Sequence, residues 1–186
     1  TTGANNVATG AYALDANTTG QRNTALGYNA LTTATTNDNT AVGADALELN
    51  TSGAQNVVVG SQAADANTTG SSLVAVGYNA LGANTTASDN SAVGQSALRD
   101  NTTGIQNTAF GKSALQSNTT ADNNTAVGRN ALVLNTTGTQ NVAVGANALD
   151  ANTTASSNTA IGYDALTANT TGYQNTALGQ NALDAN

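Results

Sequence analysis

The sequence predicts an all-β fold, a parallel β-solenoid (β-roll) of eleven 17-residue coils, and three observations predict it. First, a glycine recurs at Gly10, Gly27, Gly43, Gly60, Gly77, Gly94, Gly111, Gly128, Gly145, Gly162 and Gly179, so the step is 17 residues nine times and 16 once. A fixed short period of this kind marks an array of stacked units. Second, 17 residues cannot hold two helices and their turns, whereas two strands of about four residues, each rising ~3.3 Å per residue, fit with two corners. Third, the chain has no Pro, Cys, Met, Trp or His and only 8% charged residues, so the groups that fill an ordinary globular core are missing and the interior must be thin. No composition shift interrupts the period, and residues 1–186 read as one domain.

Each element follows from one coil, counted from Asn124. Places two to four, Thr125-Ala126-Val127, and their neighbours are expected to form the first strand, and a second is expected around Ala131-Leu132 at places eight and nine. Place five is always glycine, which suits a corner that needs φ > 0 or a close backbone approach. The expected corner glycines are therefore Gly27, Gly43, Gly60, Gly77, Gly94, Gly111, Gly128, Gly145, Gly162 and Gly179. Places twelve to fifteen, Asn135-Thr136-Thr137-Gly138, make the opposite corner, because Asn bonds its own backbone in turns. That column stacks Asn50, Asn67, Asn84, Asn101, Asn118, Asn135, Asn152 and Asn169 into a turn ladder. Places six, seven, ten, eleven and fifteen to seventeen vary and face water or a partner. Place fifteen alternates Gly104, Ala121, Gly138, Ala155 and Gly172, which hints at a longer superperiod, and the second coil is one residue short after Thr35-Thr36.

The apolar columns bear on assembly. Successive strand side chains point to opposite faces, so Val142 and Val144 lie on one side and Ala143 on the other. Both sides are apolar or small, as in strands buried on both faces. The columns at Ala126, Val127, Ala131 and Leu132 are expected to be divided between the coil interior and a contact between chains.

Composition excludes several partners. Only Arg22, Arg99, Lys112 and Arg129 stand against eleven acids, with a net charge of -7. Nucleic acids and anionic membranes are bound through clustered Lys and Arg, so neither is expected. No apolar run approaches the roughly 20 residues that cross a bilayer.

Asn-Thr-Ala-Val-Gly followed by Ala-Leu resembles the repeats in head domains of YadA-like trimeric autotransporter adhesins, and the unit is similar to arrays in phage and bacterial tail-fibre-like proteins. The resemblance covers the whole chain and implies a left-handed roll, three chains side by side in a homotrimer, and exposure outside the cell, on a cell surface or a virion. A host or environmental surface is the implied external partner. The adhesin-head repeat is shorter, and here the Asn-Thr-Thr corner lengthens one turn.

No catalytic constellation is found. Without His or Cys there is no Ser-His or Cys-His pair, and the usual nitrogen and sulfur metal ligands are missing. The acids at place ten, Asp15, Glu48, Asp65, Asp150 and Asp184, occupy fewer than half the coils and lack the Gly-rich frame of a calcium roll. The expectation is a non-enzymatic shaft, structural or adhesive, with no cofactor and no metal. The alternative is an ice-binding or carbohydrate-binding solenoid that uses the Asn-Thr-Thr rows, such as Thr119, Thr136 and Thr153. Each of those rows also opens Asn-x-Ser/Thr sequons, so N-glycosylation enters as a third use of the column. Tyr28, Tyr78 and Tyr163 share place six, while Tyr12 and Tyr173 lie at other variable places; scattered surface aromatics account for all five. Finally, Asn186 followed by Thr1-Thr2-Gly3 would restore the Asn-Thr-Thr-Gly corner without a gap. This points to a segment of a longer array or to units that stack end on end.

Overall fold

A computed structural model describes residues 2–184. The end-to-end junction of Asn186 with Thr1 therefore lies outside the described residues. Eleven three-residue strands form one parallel sheet in chain order. They are β1 (Val7–Thr9), β2 (Thr24–Leu26), β3 (Thr40–Val42), β4 (Val57–Val59), β5 (Val74–Val76), β6 (Ser91–Val93), β7 (Thr108–Phe110), β8 (Thr125–Val127), β9 (Val142–Val144), β10 (Thr159–Ile161) and β11 (Thr176–Leu178). Each strand pairs with the same places of the next coil, Thr125↔Val142 and Val127↔Val144 for example. The register survives the short coil, where Thr24 pairs with Thr40. The chain is a β-solenoid, one strand per coil.

Among the described residues the second expected strand is absent. Asn130 and Leu132 sit at φ 59° and 52°, so no two successive residues there are extended. Two turns replace it, closed by Ala131 N–H to the Gly128 carbonyl at 3.3 Å and Asn135 N–H to the Leu132 carbonyl at 3.1 Å. The coils remain bonded along this side, since the Leu132 N–H donates to the Ala148 carbonyl at 3.0 Å and the Thr136 N–H to Thr153 at 2.8 Å. The reason is packing: in an extended segment Ala131 and Leu132 would face opposite ways, whereas here both are fully buried. A left-handed leucine costs about 1–2 kcal/mol, and burying its side chain returns about 2–3 kcal/mol. Burial wins.

The core is correspondingly thin, as a rule one Ala from the strand and an Ala-Leu pair from the turns of each interior coil, while Ala8 and Leu183 of the end coils are exposed. Of the four columns expected to be shared between the interior and a chain contact, Ala126, Ala131 and Leu132 are all interior, and only Val127 faces out. The fourth coil departs from the rule in two places at once. It carries Val58 where the others have Ala and Ala64 where they have Leu, and both are fully buried. Volume gained at one inward place offsets volume lost at the other.

The short coil lacks a different residue from the one its sequence suggests. The Thr36 carbonyl accepts Asn23 Nδ2 at 2.7 Å, as the place-fifteen carbonyl of Gly138 accepts Asn124 Nδ2 at 2.8 Å. Thr36 thus stands at place fifteen, and the deletion falls at place fourteen, the most exposed place of that corner.

Candidate functional site: the exposed strand face and the asparagine ladders

The place-five glycines, Gly27, Gly43, Gly60, Gly77, Gly94, Gly111, Gly128, Gly145, Gly162 and Gly179, all have positive φ, from 124° at Gly179 to 143° at Gly27 and Gly60. At Gly145, with φ 137°, an added Cβ would fall against the Gly162 carbonyl of the next coil. Both conformation and approach demand glycine there.

The place-twelve column is a buried ladder. Asn50, Asn67, Asn84, Asn101, Asn118, Asn135 and Asn152 have no exposed surface, and Asn169 almost none. Each amide bridges two coils: Asn118 Nδ2 donates to Asn101 Oδ1 at 2.8 Å and to the Ala121 carbonyl three residues on at 3.0 Å. The same geometry recurs at Asn67, Asn84, Asn101, Asn135, Asn152 and Asn169. The nitrogen that N-glycosylation would need is therefore consumed inside the folded coil.

A second ladder, which sequence reasoning left without a role, runs along place one. Asn124 Oδ1 accepts the Asn141 N–H at 3.0 Å, and Asn124 Nδ2 donates to the Gly138 carbonyl at 2.8 Å. That carbonyl also accepts Asn135 Nδ2 at 2.9 Å, so both ladders meet on one oxygen. The signal was present: Asn opens ten of eleven coils, immediately before the strand. Leu73 is the exception. Its carbonyl still accepts the Val57 N–H at 2.8 Å, but its side chain has no oxygen, so the Asn90 N–H lacks the side-chain acceptor its counterparts have. Among the described residues no buried side-chain nitrogen or oxygen lacks a partner.

The threonines beside the ladder divide. Place-thirteen hydroxyls are taken up by the next coil, Thr136 Oγ1 donating to the Thr153 carbonyl at 3.0 Å and Thr119 Oγ1 to the Thr136 carbonyl at 3.2 Å. Place-fourteen residues such as Thr120, Thr137 and Thr154 are exposed. The Asn-Thr-Thr corner thus presents one threonine row to water.

The acids at place ten do not converge, and among the described residues no three liganding side chains gather. Asp15 and Asp184 are exposed. Loss of solvation raises Glu48, helped by Asp45 and Asp65, and likewise raises Asp65 and Asp150. The cations at Arg22 and Arg99 pair with Asp38 at 2.6 Å and Asp100 at 2.7 Å. Tyr12 and Tyr28 meet edge to face with centroids 5.8 Å apart, while Tyr78, Tyr163 and Tyr173 are exposed.

What remains is the outer face of the sheet. Place three points inward, and places two and four point out. Place four reads Leu26, Val42, Val59, Val76, Val93, Phe110, Val127, Val144, Ile161 and Leu178 after Thr9. Phe110 is 57% exposed, and Leu26, Val59, Val127, Ile161 and Leu178 are exposed with it, while Val42, Val76, Val93 and Val144 are half-buried. Place two alternates Thr, Val and Ser, so neither row carries a charge. No cavity opens in the described residues, and no helix among them is long and apolar enough to cross a membrane.

No protein-family model, curated protein or solved structure matches this chain.

Proposed function

We propose that the chain is a rigid, non-catalytic shaft, a spacer or adhesive segment of a fibre displayed on a cell surface or virion, and that three copies lie parallel with their strand faces together. The observation that carries this is the uncharged apolar row at place four, which runs the length of the sheet with Leu26, Val59, Phe110, Val127, Ile161 and Leu178 exposed and the valines between them half-buried. Contiguous exposed apolar surface of this extent marks an interaction site. A parallel copy is the partner that repeats apolar residues at the same ~4.8 Å spacing. The resemblance to trimeric adhesin heads points the same way, including a left-handed roll.

The reading needs no ligand along the shaft, so any receptor contact falls to the variable places or to other segments. Ice or sugar binding through the Asn-Thr-Thr corner has less to draw on, because the place-thirteen hydroxyls donate to carbonyls of the next coil. Light scattering should give the mass of three chains, and small-angle scattering a rod. A stable monomer with no larger species at high concentration would overturn the trimer; measurable thermal hysteresis would favour the ice-binding reading.

A further inference from the structure

We propose that Phe110 fixes the axial register of copies of this chain packed face to face; the inference rests on the trimer reading above. The problem it solves arises from periodicity. Each strand is in register with the next coil, so the outward rows repeat every coil. A neighbouring chain displaced by one coil would meet almost the same surface. Register is specified only by residues that break the repeat, as it is in any weakly marked β pairing.

On this face such residues are few. At place two Val and Thr are close to isosteric and Ser91 lacks only a methyl, and Val, Leu and Ile at place four differ by a single methylene or its position. Phe110 alone differs in volume and shape, and it lies in the interior of the row between Val93 and Val127. It is 57% exposed in the single chain, so its ring projects toward any partner on this face. The face holds no charge that could specify register instead, and the nearest unpaired cations, Lys112 and Arg129, lie beyond the glycine corner at place six. In register, three phenyl rings share one level and pack on one another. After a slip, each ring enters a valine level too small for it, and voids open where its partners were.

The test uses energy transfer along the shaft. The chain has no cysteine, so donor-labelled Ala44→Cys chains and acceptor-labelled Gln180→Cys chains can be refolded together, the labels being eight coils or roughly 40 Å apart along the axis at ~4.8 Å per coil. The otherwise unchanged chain should give one narrow transfer efficiency. Phe110→Val, which introduces the residue that six other coils already carry at place four, should fold and still form trimers, but with several efficiencies set by the coil step. Val127→Phe added to Phe110→Val in donor and acceptor chains alike should restore the single parent value, and carried by the acceptor chains alone, against donor chains that keep Phe110, it should give a value displaced by one coil. A single narrow efficiency in Phe110→Val trimers overturns the register role and leaves the trimer standing. A monomeric parent chain, with no transfer at all, overturns the trimer reading itself.

Discussion

At the scale of the residue, this solenoid depends on side chains in unusual conformations. Three non-glycine residues per coil take left-handed φ, at places seven, nine and seventeen, as in Asn130, Leu132 and Gln140. Asn, Asp, Ser and Gln at two of these places, with Tyr12 and Arg22 in the first coil, suit the conformation or tolerate it in water, but leucine adopts it only because the core holds it. The asparagine ladders are the second dependency. Replacing Asn118 with Ala removes two donated bonds and leaves Asn101 Oδ1 buried without the donor it now has. The loss should be about 1–3 kcal/mol, read by denaturant unfolding, with faster amide exchange confined to the neighbouring coils. Asn118→Asp should be worse, since a carboxylate offers no donor and would be buried charged. Gly145→Ala combines positive φ with a clash against the Gly162 carbonyl, and should cost on the order of 3 kcal/mol. An unchanged unfolding midpoint in either Asn118→Ala or Gly145→Ala would contradict the geometry.

At the scale of the coil, the compensation in the fourth copy makes a sharper prediction, because it concerns two residues together. Ala64→Leu alone inserts volume into an interior already filled by Val58, and should destabilise by about 1–3 kcal/mol. Adding Val58→Ala recreates the common coil and should recover most of that loss, giving a strongly non-additive double-mutant cycle. Additive effects would mean the two sites do not share space. This coil also shows what the sequence made legible. The period, the strand at places two to four, the corner glycines and the bonding by place-twelve Asn could all be read from Asn124 to Gly138, because each is a local rule repeated in all, or all but one, of the eleven coils. The second strand was misread for a physical reason. A 17-residue period leaves room for a second strand and the apolar Ala-Leu columns fall where it would lie, but the left-handed φ of Leu132 is imposed by the need to bury both side chains in one thin core. The place-one ladder was missed because Asn124 looks like a turn residue until its partner, Asn141 of the next coil, is brought beside it.

At the scale of the whole molecule, stacking makes stability nearly a sum over coils and their interfaces, so a local electrostatic cost is felt by the entire rod. Eleven coils at ~4.8 Å give a length of about 50 Å, which small-angle scattering should return as a rod cross-section of constant size. Along that rod, Glu48 and Asp65 lie in successive coils with Asp45 nearby, and Asp150 neighbours Asp164. Loss of solvation is the largest cause of the upward shift in Glu48, Asp65 and Asp150, and the adjacent acids add to it. The ordinary values are 3.8 for the aspartates and 4.5 for the glutamate. The folded chain therefore holds these protons more tightly than the unfolded chain does. By linkage, their contribution is most favourable below the ordinary values and is lost as pH rises through the raised folded values. Asp38, held low by the Arg22 hydrogen bond, works in the opposite sense, but both partners stand in water and contribute little. The thermal midpoint should therefore rise as pH falls from 7 toward 4, aided by relief of the net charge of -7. Asp65→Asn and Asp150→Asn should each raise the midpoint at pH 7 and flatten the profile. A midpoint that falls steadily on acidification over this window, in the parent chain and in both variants alike, would show that paired carboxylates elsewhere dominate the pH response.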